Sequence, residues 1–548
     1  MTARPGARSA LAIAASAALA LSGCAAASTA AGGSTDDGRA GGGTIVYAHQ
    51  QEPACVFGGW IEQAYLSANV LDSLLSLDAD GTAVPWLAES WQVSEDGLHW
   101  TFTLKDAVTF TDGSPLTAEA VAFNFEHWVN GGGNGTALAW LGGYYERATA
   151  IDELTLQLDL SKPYPRLPET LTQGYFGIQS QRALETRSDE ENCEAPIGTG
   201  AFVVDHWDRG QEIVLTRNDD YTSAPANADH AGPAHVERVV WKFVADPTTR
   251  VAALKSGEVD AIYDVPAVQW NSTEQAGFTL EKHVTGGRPQ QLTFNTAEGP
   301  FTDERVRQAF AFSLDRKALV ETIGHGVIPY DGNGGVSRST PGWSEAAADR
   351  YTFDLDRAEA LLDEAGWTGT DEDGFRAKGG ETLEIVLPYG AGSIINSDGA
   401  SILQGVQEQA KQAGFKVRLI PVPQAELFSG AYGSPSERDI YPGYWTSVTS
   451  GILYVNWRQS TPEWPNFNNA SFTNYPELEA IILEANSTAD VDAQNALYAK
   501  AQEYIAEHAL AIGIYDRLST LAISPELEGV TQEHSQGGPT FHDAHFVG

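Results

Sequence analysis

The chain has 548 residues, with 73 Asp and Glu against 33 Lys and Arg, and its formal charge is −40. So strong a negative charge repels phosphate backbones and anionic lipid headgroups, which excludes nucleic-acid binding and a polybasic membrane patch. Apolar residues make up 42% of the chain and aromatic residues 10%, too many for a disordered polymer. A chain of this length is expected to form roughly two to four domains.

The N-terminal segment has the pattern of an export signal. Arg4 and Arg8 precede an apolar run that ends at Leu21, and this run is shorter than the roughly 20 residues that span a bilayer. Small residues then lead to Cys24, and this stretch resembles the lipobox of bacterial lipoproteins. We therefore predict a lipoprotein signal peptide over residues 1–23 and lipidation of Cys24. An ordinary signal peptide followed by a chance cysteine is the alternative.

Residues 24–43 consist mainly of Gly, Ala and Ser, a composition typical of a flexible tether. Removal of the signal peptide would also remove two arginines, which takes the formal charge from −40 to −42. We expect an exported body held by lipid alone at the outer face of the cytoplasmic membrane, on the periplasmic or extracellular side.

Two cysteines remain in the body of the protein, Cys55 and Cys193. Two cysteines in an exported protein favour one disulfide. Two separate buried thiols remain the alternative.

The stretch from about Trp91 to Arg187 has the pattern of an antiparallel sheet. Leu98–Leu104 and Leu154–Leu160 alternate apolar and polar residues, as strands with one solvated face do. Between them, Thr117 is predicted to cap a helix that ends at the Gly131-Gly132-Gly133 loop. This stretch is therefore interpreted as a separate β-rich insertion.

Two later segments follow the order strand, helix, strand, which is typical of parallel sheets. The first runs from Val239–Val244 to Val259–Val265, and the second from Leu383–Leu387 to Val417–Val422. Each unit is too short for a full domain, so the pair indicates two α/β lobes that face one another. Further elements are predicted at Gln290–Asn295, Asp303–Phe312, Asp315–Ile323, Leu355–Ala365, Ala425–Ser429, Asp439–Trp445, Leu478–Ala485 and Leu497–His508, with Asp439–Trp445 as a strand that extends the second unit.

The chain lacks the common catalytic motifs: a G-x-S-x-G elbow, a G-x-x-x-x-G-K-[ST] phosphate loop and an H-E-x-x-H helix. The run His542-Asp543-Ala544-His545 has side chains that suit nickel, copper or zinc. Its place near the chain end favours a frayed terminus instead. We therefore predict no catalytic residue, no metal ligand and no cofactor.

Aromatic residues follow the predicted strands of the second unit. Tyr389 comes after Leu383–Leu387, and Tyr444 and Trp445 lie at the end of the strand predicted at Asp439–Trp445. Ligands of open α/β sheets bind beyond the carboxyl ends of the strands, and a cleft lined with rings and amides is a binding site without a nucleophile. Ordinary core packing is the alternative for each ring.

A series of motifs runs in order from about Thr44 to the C-terminus. They are Leu87-Ala88-Glu89-Ser90-Trp91, Phe110-Thr111-Asp112-Gly113-Ser114-Pro115, Pro196-Ile197-Gly198-Thr199-Gly200, Leu254-Lys255-Ser256-Gly257-Glu258-Val259-Asp260, Asn295-Thr296 and Val306-Arg307-Gln308-Ala309. Together they resemble the bacterial extracellular solute-binding proteins of family 5, the peptide/nickel-type receptors of ABC importers.

The resemblance implies an α/β, two-lobed periplasmic-binding-protein-like fold (type II, cluster C-like) with an extra β-rich domain inserted in the first lobe. It also implies a ligand enclosed when the lobes close. We expect lobe I over residues 44–90, 196–288 and 509–548, the inserted domain over 91–195, and lobe II over 289–508. The candidate ligand-binding residues are Tyr389, Tyr444, Trp445, Thr446, Phe57 and Arg288.

One position departs from the family pattern. Peptide-binding members place an Asp three positions after the loop Trp, where it pairs with the peptide ammonium, whereas Val448 stands at that distance from Trp445. A buried cation without an anionic partner costs several kcal/mol, so a free peptide amine is not expected to be held there. Arg288 and Arg458 are candidates for pairing with an anionic group of the solute, with ordinary ion pairs as the alternative.

The sequence thus favours a substrate-capture subunit of an ABC importer. It would take an oligopeptide or a polar solute of similar size, and would act as a monomer with a permease and ATPase complex. The alternatives are a receptor for chelated nickel, an exported hydrolase, and a surface signalling or adhesion module on the same fold.

Overall fold

The computed structural model describes residues 42–58, 61–130, 135–330, 332, 334–392, 394–423, 426–427 and 429–547. The predicted signal peptide, Cys24, nearly all of the tether and the Gly131-Gly132-Gly133 loop lie outside these residues, as do Ala425 and Phe428 of the helix predicted at Ala425–Ser429. Among the residues described, no helix combines the length and the apolar character needed to cross a membrane.

A mixed sheet of seven strands is built around Thr44–His49. This strand pairs in parallel with Arg238–Phe243 on one side and Ala261–Tyr263 on the other, and the outer strands are antiparallel. Ile45 and Tyr47 are fully buried, so side chains of the central strand lie in the first hydrophobic core. The spatial order is Thr279–Val284, Leu518–Ile523, Ala261–Tyr263, Thr44–His49, Arg238–Phe243, Glu212–Arg217 and Phe202–Asp208.

The helix Pro247–Ser256 connects two parallel strands of this sheet and confirms the first predicted unit. Asp246 begins it, because its side chain accepts a hydrogen bond of 2.7 Å from the Thr249 amide. Gly257 ends it with a φ of 75°, a conformation that favours glycine. Local capping residues therefore fix both ends of the crossover.

A second sheet of four antiparallel strands confirms the predicted alternation. The spatial order is Ala88–Val93, His99–Leu104, Thr155–Leu160 and Tyr145–Ala150. The helix Ala118–Val129 packs against this sheet and begins at Thr117, whose side chain accepts from the Ala120 amide at 3.2 Å. Because the first strand starts at Ala88, the expected boundary at residue 91 falls inside it. The same segment holds shorter helices at Gly135–Leu141, Leu167–Thr170, Gly174–Phe176, Gln181–Thr186 and Asp189–Glu194.

The Pro196–Gly200 motif lies directly against the backbone of Val70. A Cβ atom at Gly198 would lie 2.3 Å from the Val70 carbonyl oxygen, and one at Gly200 would lie 2.4 Å from the Val70 carbonyl carbon. Only glycine permits so close an approach of two backbones. The motif therefore fixes the packing of the loop before the strand Phe202–Asp208.

The carboxylate of Asp72 is buried beside this motif. It accepts a hydrogen bond of 2.9 Å from the Thr199 hydroxyl and another from the Ser223 hydroxyl. Burial raises the pKa of Asp72 from 3.8 to about 6, and the hydroxyl donors oppose the rise. Since the folded pKa exceeds the unfolded one, this group's contribution to stability is fully present below about pH 4 and is lost as the pH rises through about 6.

The Asp72→Asn variant is expected to gain stability relative to the wild type as the pH rises. The shift of about two pKa units corresponds to about 3 kcal/mol between pH 4 and pH 7.5, because the neutral amide has no charge to desolvate. Urea unfolding of both proteins across that interval measures the difference. A difference in unfolding free energy that does not vary with pH would show that Asp72 is not the titrating group.

The second hydrophobic core surrounds a parallel pair of strands. Glu384–Ala391 pairs with Lys416–Pro423, and the helix Ser397–Gln412 connects them, which confirms the second predicted unit. Asn396 begins the helix by accepting a hydrogen bond of 2.9 Å from the Gly399 amide. The buried face of this helix carries Gly399, Ile402, Leu403, Val406 and Ala410.

A three-stranded antiparallel sheet lies beside this core, in the order Ile440–Thr446, Gly287–Phe294, Ala511–Tyr515. The strand predicted near Asp439–Trp445 begins beside the parallel pair, since the Asp439 amide donates 2.9 Å to the Val386 carbonyl, but its ladder is the antiparallel one with Gly287–Phe294. Ala511–Tyr515 joins the same sheet, and Ile512 and Ile514 lie in the second core. These contacts favour a return of the chain from lobe II to lobe I after residue 515, and not after residue 508 as the predicted boundary has it.

The remaining elements are short strands and helices outside the sheets described above. Short strands lie at Leu75–Leu77, Ala83–Pro85, Gly369–Thr370, Arg376–Lys378, Glu381–Thr382, Leu527–Glu528, Thr531–Gln532, Pro539–Thr540 and His545–Phe546. Helices lie at Ile61–Ser67, Ala267–Gln269, Trp270–Gln275, Pro300–Thr302, Glu304–Phe312, Arg316–Ile323, Glu345–Ala348, Leu355–Glu364, Ile452–Trp457, Pro476–Ser487 and Val491–Glu507.

A disulfide joins Cys55 and Cys193, the first of the two alternatives that the sequence leaves open. It connects the loop after Thr44–His49 to the helix Asp189–Glu194 across a separation of 138 residues. A hydrogen bond of 2.8 Å from the Val56 amide to the Cys193 carbonyl holds the same two segments. The bridge therefore ties the start of the seven-stranded sheet to the inserted segment.

Candidate functional site

A cavity of about 580 Å³ lies between the two hydrophobic cores, within the range of small-molecule sites. Ile61 and Tyr175 line it from the side of the first core, and Ile394 lines it from the side of the second. The other lining residues are Arg288, Leu427, Gly430, Ala431, Gly433, Arg438, Tyr441, Gly443, Tyr444, Trp445, Thr446, Asn456, Ser460, Pro465, Asn466, Phe467, Asn468, Asn469, Ala470, Phe472 and Asn474.

The pairing of two strands brings most of the predicted ligand-binding residues together. In the antiparallel register of Gly287–Phe294 with Ile440–Thr446, Arg288 stands opposite Trp445. Arg288, Tyr444, Trp445 and Thr446 therefore line one cavity, although 157 positions separate Arg288 from Trp445, its strand partner. Four of the six candidates meet at one place.

Arg288 carries a buried positive charge with few partners. Its side chain is 8% exposed, and it donates 2.7 Å to Asn456 Oδ1 and 3.3 Å to the Tyr444 carbonyl. Its Nε is buried without a hydrogen-bond partner among the described residues. Burial lowers the pKa of Arg288 to about 10, which still leaves the guanidinium charged at neutral pH.

Arg438 is a second buried arginine in the same wall. It donates 2.9 Å to the Tyr432 carbonyl and lies 4.7 Å from the ring centres of both Tyr441 and Phe472, a cation–π arrangement. Its Nε also lacks a partner among the described residues, and burial lowers its pKa. Neither this arginine nor Arg288 forms an ion pair within the described part of the chain.

The lining is rich in hydrogen-bond donors and poor in anionic acceptors. No Asp or Glu lines the cavity among the residues that the structure describes. Besides the two Nε atoms, the Trp445 indole nitrogen and the Thr446 hydroxyl are buried without partners there. Because buried polar groups are nearly always paired in a complete site, these donors favour a ligand that supplies acceptors and negative charge.

Arg458, the other arginine that the sequence suggested for an anionic group, does not line the cavity. Its guanidinium donates to the carbonyls of Gln459, Trp464 and Pro465 and lies 3.7 Å from the centre of the Trp464 ring. These contacts hold the loop that follows the helix Ile452–Trp457. The arginine therefore shapes one wall of the cavity from behind.

The tip of this loop is Phe467, whose side chain is 90% exposed at the rim of the cavity. Asn466 holds the base of the tip, since its side chain donates 2.9 Å to the Arg458 carbonyl and accepts from the Asn468 amide. An exposed ring on a fixed loop is placed to cover a ligand without first having to unpack from a core.

Replacing Phe467 with Ala is expected to weaken solute capture by about 1–2 kcal/mol, because the ring buries apolar area only when a ligand is present. The stability of the free protein should stay within about 0.5 kcal/mol, as for other exposed positions. Phe353, which is 46% exposed and does not line the cavity, supplies the matched Phe353→Ala control. Equal dissociation constants for all three proteins would exclude a covering role.

Two predicted residues lie elsewhere. Tyr389 is 9% exposed and packs within the second core, and Phe57 is 8% exposed within the first. Neither lines the cavity, because each ring turns towards its own core. Arg438 and the Phe467 loop are the residues that the sequence analysis missed. The density of Asn and aromatic residues after position 456 was a signal for the Phe467 loop, whereas Arg438 had none of that kind.

The sequence matches the family model described as "Bacterial extracellular solute-binding proteins, family 5 Middle" over residues 82–478. The chain belongs to this family. The resemblance carried by the sequence motifs is thereby confirmed. As a family 5 solute-binding protein, it is exported and serves as the substrate-binding component of an ABC importer.

Two relatives illustrate the breadth of the family. The nickel-binding periplasmic protein of Escherichia coli K12 is 26% identical over 492 residues, which cover 85% of this chain and 87% of the relative. The oligopeptide-binding protein AppA of Bacillus subtilis 168 is 26% identical over 455 residues, which cover 81% and 80%.

Solved structures confirm the predicted fold class. The chain is similar to AppA from Bacillus subtilis in complex with a nonapeptide, with a TM-score of 0.80 and 20% identity over 93% of this chain and 100% of that one. It is also similar to AgaA from A. tumefaciens R10 in complex with agropinic acid, with a TM-score of 0.78 and 24% identity over 92% and 99%. The fold is that of the type II periplasmic binding proteins.

Proposed function

We propose that this family 5 protein is lipid-anchored through Cys24 and captures a peptide-sized polar solute that carries at least one carboxylate. The solute binds in the cavity beside Arg288 and Arg438 and passes unchanged to a permease and ATPase complex. The protein acts as a monomer and catalyses no reaction on its cargo.

The carboxylate is inferred from the two buried arginines. A buried charge without a partner is costly, and a bound carboxylate removes that cost by supplying charge and up to four acceptor sites. A guanidinium presents its donors in a planar fork that matches a carboxylate. The observation that carries the proposal is the pair of buried guanidinium groups in a lining without Asp or Glu among the described residues.

The same lining argues against a peptide held by its free amine. Val448 occupies the expected position of the amine-binding Asp, and no carboxylate among the described lining residues replaces it. An ammonium placed beside two guanidinium groups would be repelled. We therefore favour an anionic end of the solute as the group that the cavity recognises.

Capture between two lobes is supported by the position of the cavity, which residues of both hydrophobic cores line. The helices Pro476–Ser487 and Val491–Glu507, which the predicted boundary assigns to lobe II, have Leu478, Ile482 and Tyr498 in the same hydrophobic cluster as Tyr144. Asn486 donates 2.6 Å to the Tyr144 hydroxyl, and Arg166 donates 2.9 Å to Gln494 Oε1. We therefore propose that these two helices move with the insertion when the lobes open.

Native mass spectrometry of freshly purified protein, followed by release of the bound species, tests the proposed ligand class. The released solute should carry a carboxylate, and its methyl ester should fail to rebind. Rebinding of the ester with unchanged affinity would overturn the carboxylate assignment. Release of one equivalent of nickel with the solute would favour the chelated-metal receptor, which the nickel-binding relative represents.

The lipid anchor needs its own test. In cells grown with labelled palmitate, the wild type should incorporate label and sediment with membranes, whereas the Cys24→Ser variant should do neither. Label in the variant, or membrane association of both proteins, would overturn the assignment of Cys24.

A further inference from the structure

Two hydrogen bonds join the proposed lobes beside the solute cavity. Asn396 Nδ2 donates 2.8 Å to Asp264 Oδ1, and the Ala267 amide donates 3.0 Å to Asp398 Oδ2. One side of these contacts is the loop that follows a strand of the seven-stranded sheet, in proposed lobe I. The other side is the start of the helix Ser397–Gln412, in proposed lobe II. The contacts therefore exist only while the two lobes meet at this point.

Asp264 is held from within its own lobe. Its amide donates 2.9 Å to the Thr520 carbonyl, and Arg250 donates 2.9 Å to the Asp264 carbonyl and 3.3 Å to its Oδ2. Its φ of 57° is a left-handed conformation that few non-glycine residues adopt. The next residue, Val265, packs in a hydrophobic cluster with residues of the seven-stranded sheet. The carboxylate is therefore fixed in lobe I, with Oδ1 left for the partner across the boundary.

Asn396 is held in the same way within lobe II. Its Oδ1 accepts a hydrogen bond of 2.9 Å from the Gly399 amide and so caps the helix Ser397–Gln412. Because the cap fixes the orientation of the carboxamide, its Nδ2 is directed at Asp264. An amide nitrogen only donates and an ionised carboxylate only accepts. The two lobes therefore meet with complementary groups that are each oriented beforehand.

The pair lies next to the solute cavity without lining it. A smaller cavity of about 20 Å³ is bordered by Asp264, Asn396 and Asp398, and Ile394 lines both cavities. Ile394 precedes Asn396 by two positions. The same short segment therefore meets the solute cavity with Ile394 and proposed lobe I with Asn396.

We propose that Asn396 and Asp264 are positioning residues for solute capture, whose hydrogen bond holds the lobes in the arrangement that encloses the solute. This inference rests on the proposed capture between two lobes. A contact that requires both lobes together stabilises the closed arrangement alone, and it thereby raises the affinity for whatever is enclosed. Ala267 acts in the same direction, because its amide binds Asp398 and its side chain packs in the second core.

The Asn396→Asp variant isolates this contact. Aspartate caps a helix as well as asparagine does and has nearly the same size, but its oxygen would face the Asp264 carboxylate, so that repulsion replaces the hydrogen bond. We expect the dissociation constant of the solute released from the wild type to rise about tenfold or more, as for loss of a hydrogen bond to a charged group. Small-angle X-ray scattering at a solute concentration that saturates the wild type should give the variant a larger radius of gyration.

Two further variants separate closure from helix capping and from added charge. The double exchange Asp264→Asn, Asn396→Asp reverses the direction of the hydrogen bond and should bring the dissociation constant and the radius of gyration back to the wild-type values. Ser397→Asp is the matched control, because it adds the same charge at an exposed position in the first turn of the same helix. It should leave both measurements unchanged.

The proposal is overturned if Asn396→Asp keeps the wild-type dissociation constant, if Ser397→Asp raises it as much, or if the double exchange folds by circular dichroism without restoring it. Should Asn396→Asp fail to fold, Asn396→Ser, which keeps a capping oxygen and lacks the donor, decides the outcome. A released solute without a carboxylate would overturn the proposed ligand class alone. The comparison of variants would still decide the role of Asn396 and Asp264, since neither lines the solute cavity.

Discussion

Replacing Arg288 with Gln is expected to weaken capture of the carboxylate solute by about 2–5 kcal/mol, because a buried ion pair loses one partner. Gln can still donate to Asn456, so the wall should keep its shape. The free protein should be at least as stable as the wild type, since the variant no longer buries an unpaired charge. Titration calorimetry with the released solute and urea unfolding measure the two effects.

The combination of weaker binding and unreduced stability distinguishes recognition from packing. Arg316 supplies the control, because it is 3% exposed, does not line the cavity, and donates to the carbonyls of Gly513 and Tyr351. Arg316→Gln should lower stability by leaving those carbonyls unpaired, with little effect on affinity. An Arg288→Gln variant that binds as well as the wild type would remove this residue from the site.

Loss of the disulfide is expected to lower the free energy of unfolding by about 4–5 kcal/mol. The bridge closes a loop of 138 positions, and the entropy it removes from the unfolded chain increases with loop length. The Cys55→Ala, Cys193→Ala double variant and the reduced wild type should therefore unfold at similar, lower urea concentrations. Reductant should have no effect on the double variant.

Thiol counting under denaturing conditions gives an independent measurement. The mature wild type should show no free thiol at positions 55 and 193 before reduction and two afterwards. Two free thiols before reduction, or an unchanged urea midpoint after it, would favour the separate buried thiols that the sequence left open.

Most of the two α/β units could be predicted from local signals. The helix Pro247–Ser256 is marked by Asp246 at its start and Gly257 at its end, and its partner strands are apolar throughout. The helix Ser397–Gln412 is marked in the same way by Asn396 and by the buried positions along one face. Such signals act over a few residues, so each can be recognised without knowledge of the rest of the fold.

Which strands pair with one another was harder to predict from the sequence. Ile440–Thr446 follows a parallel unit in the chain, yet it pairs antiparallel with Gly287–Phe294. Nothing local distinguishes the two arrangements, because partner choice depends on which strand edges are free after the lobes have formed. The same pairing places Arg288 opposite Trp445, while Tyr389, which the sequence placed at the ligand, lies in a core.

By itself the sequence determined the family and the fold class, because long motifs and hydrophobic periodicity are properties of contiguous residues. Only the tertiary structure decided which arginine lines the cavity. Arg288 and Arg458 look alike in the chain, but Arg288 lies in the cavity wall, whereas the guanidinium of Arg458 donates to three backbone carbonyls behind that wall. Contacts of this kind depend on distances of a few ångströms between remote segments, and those distances exist only in the folded chain.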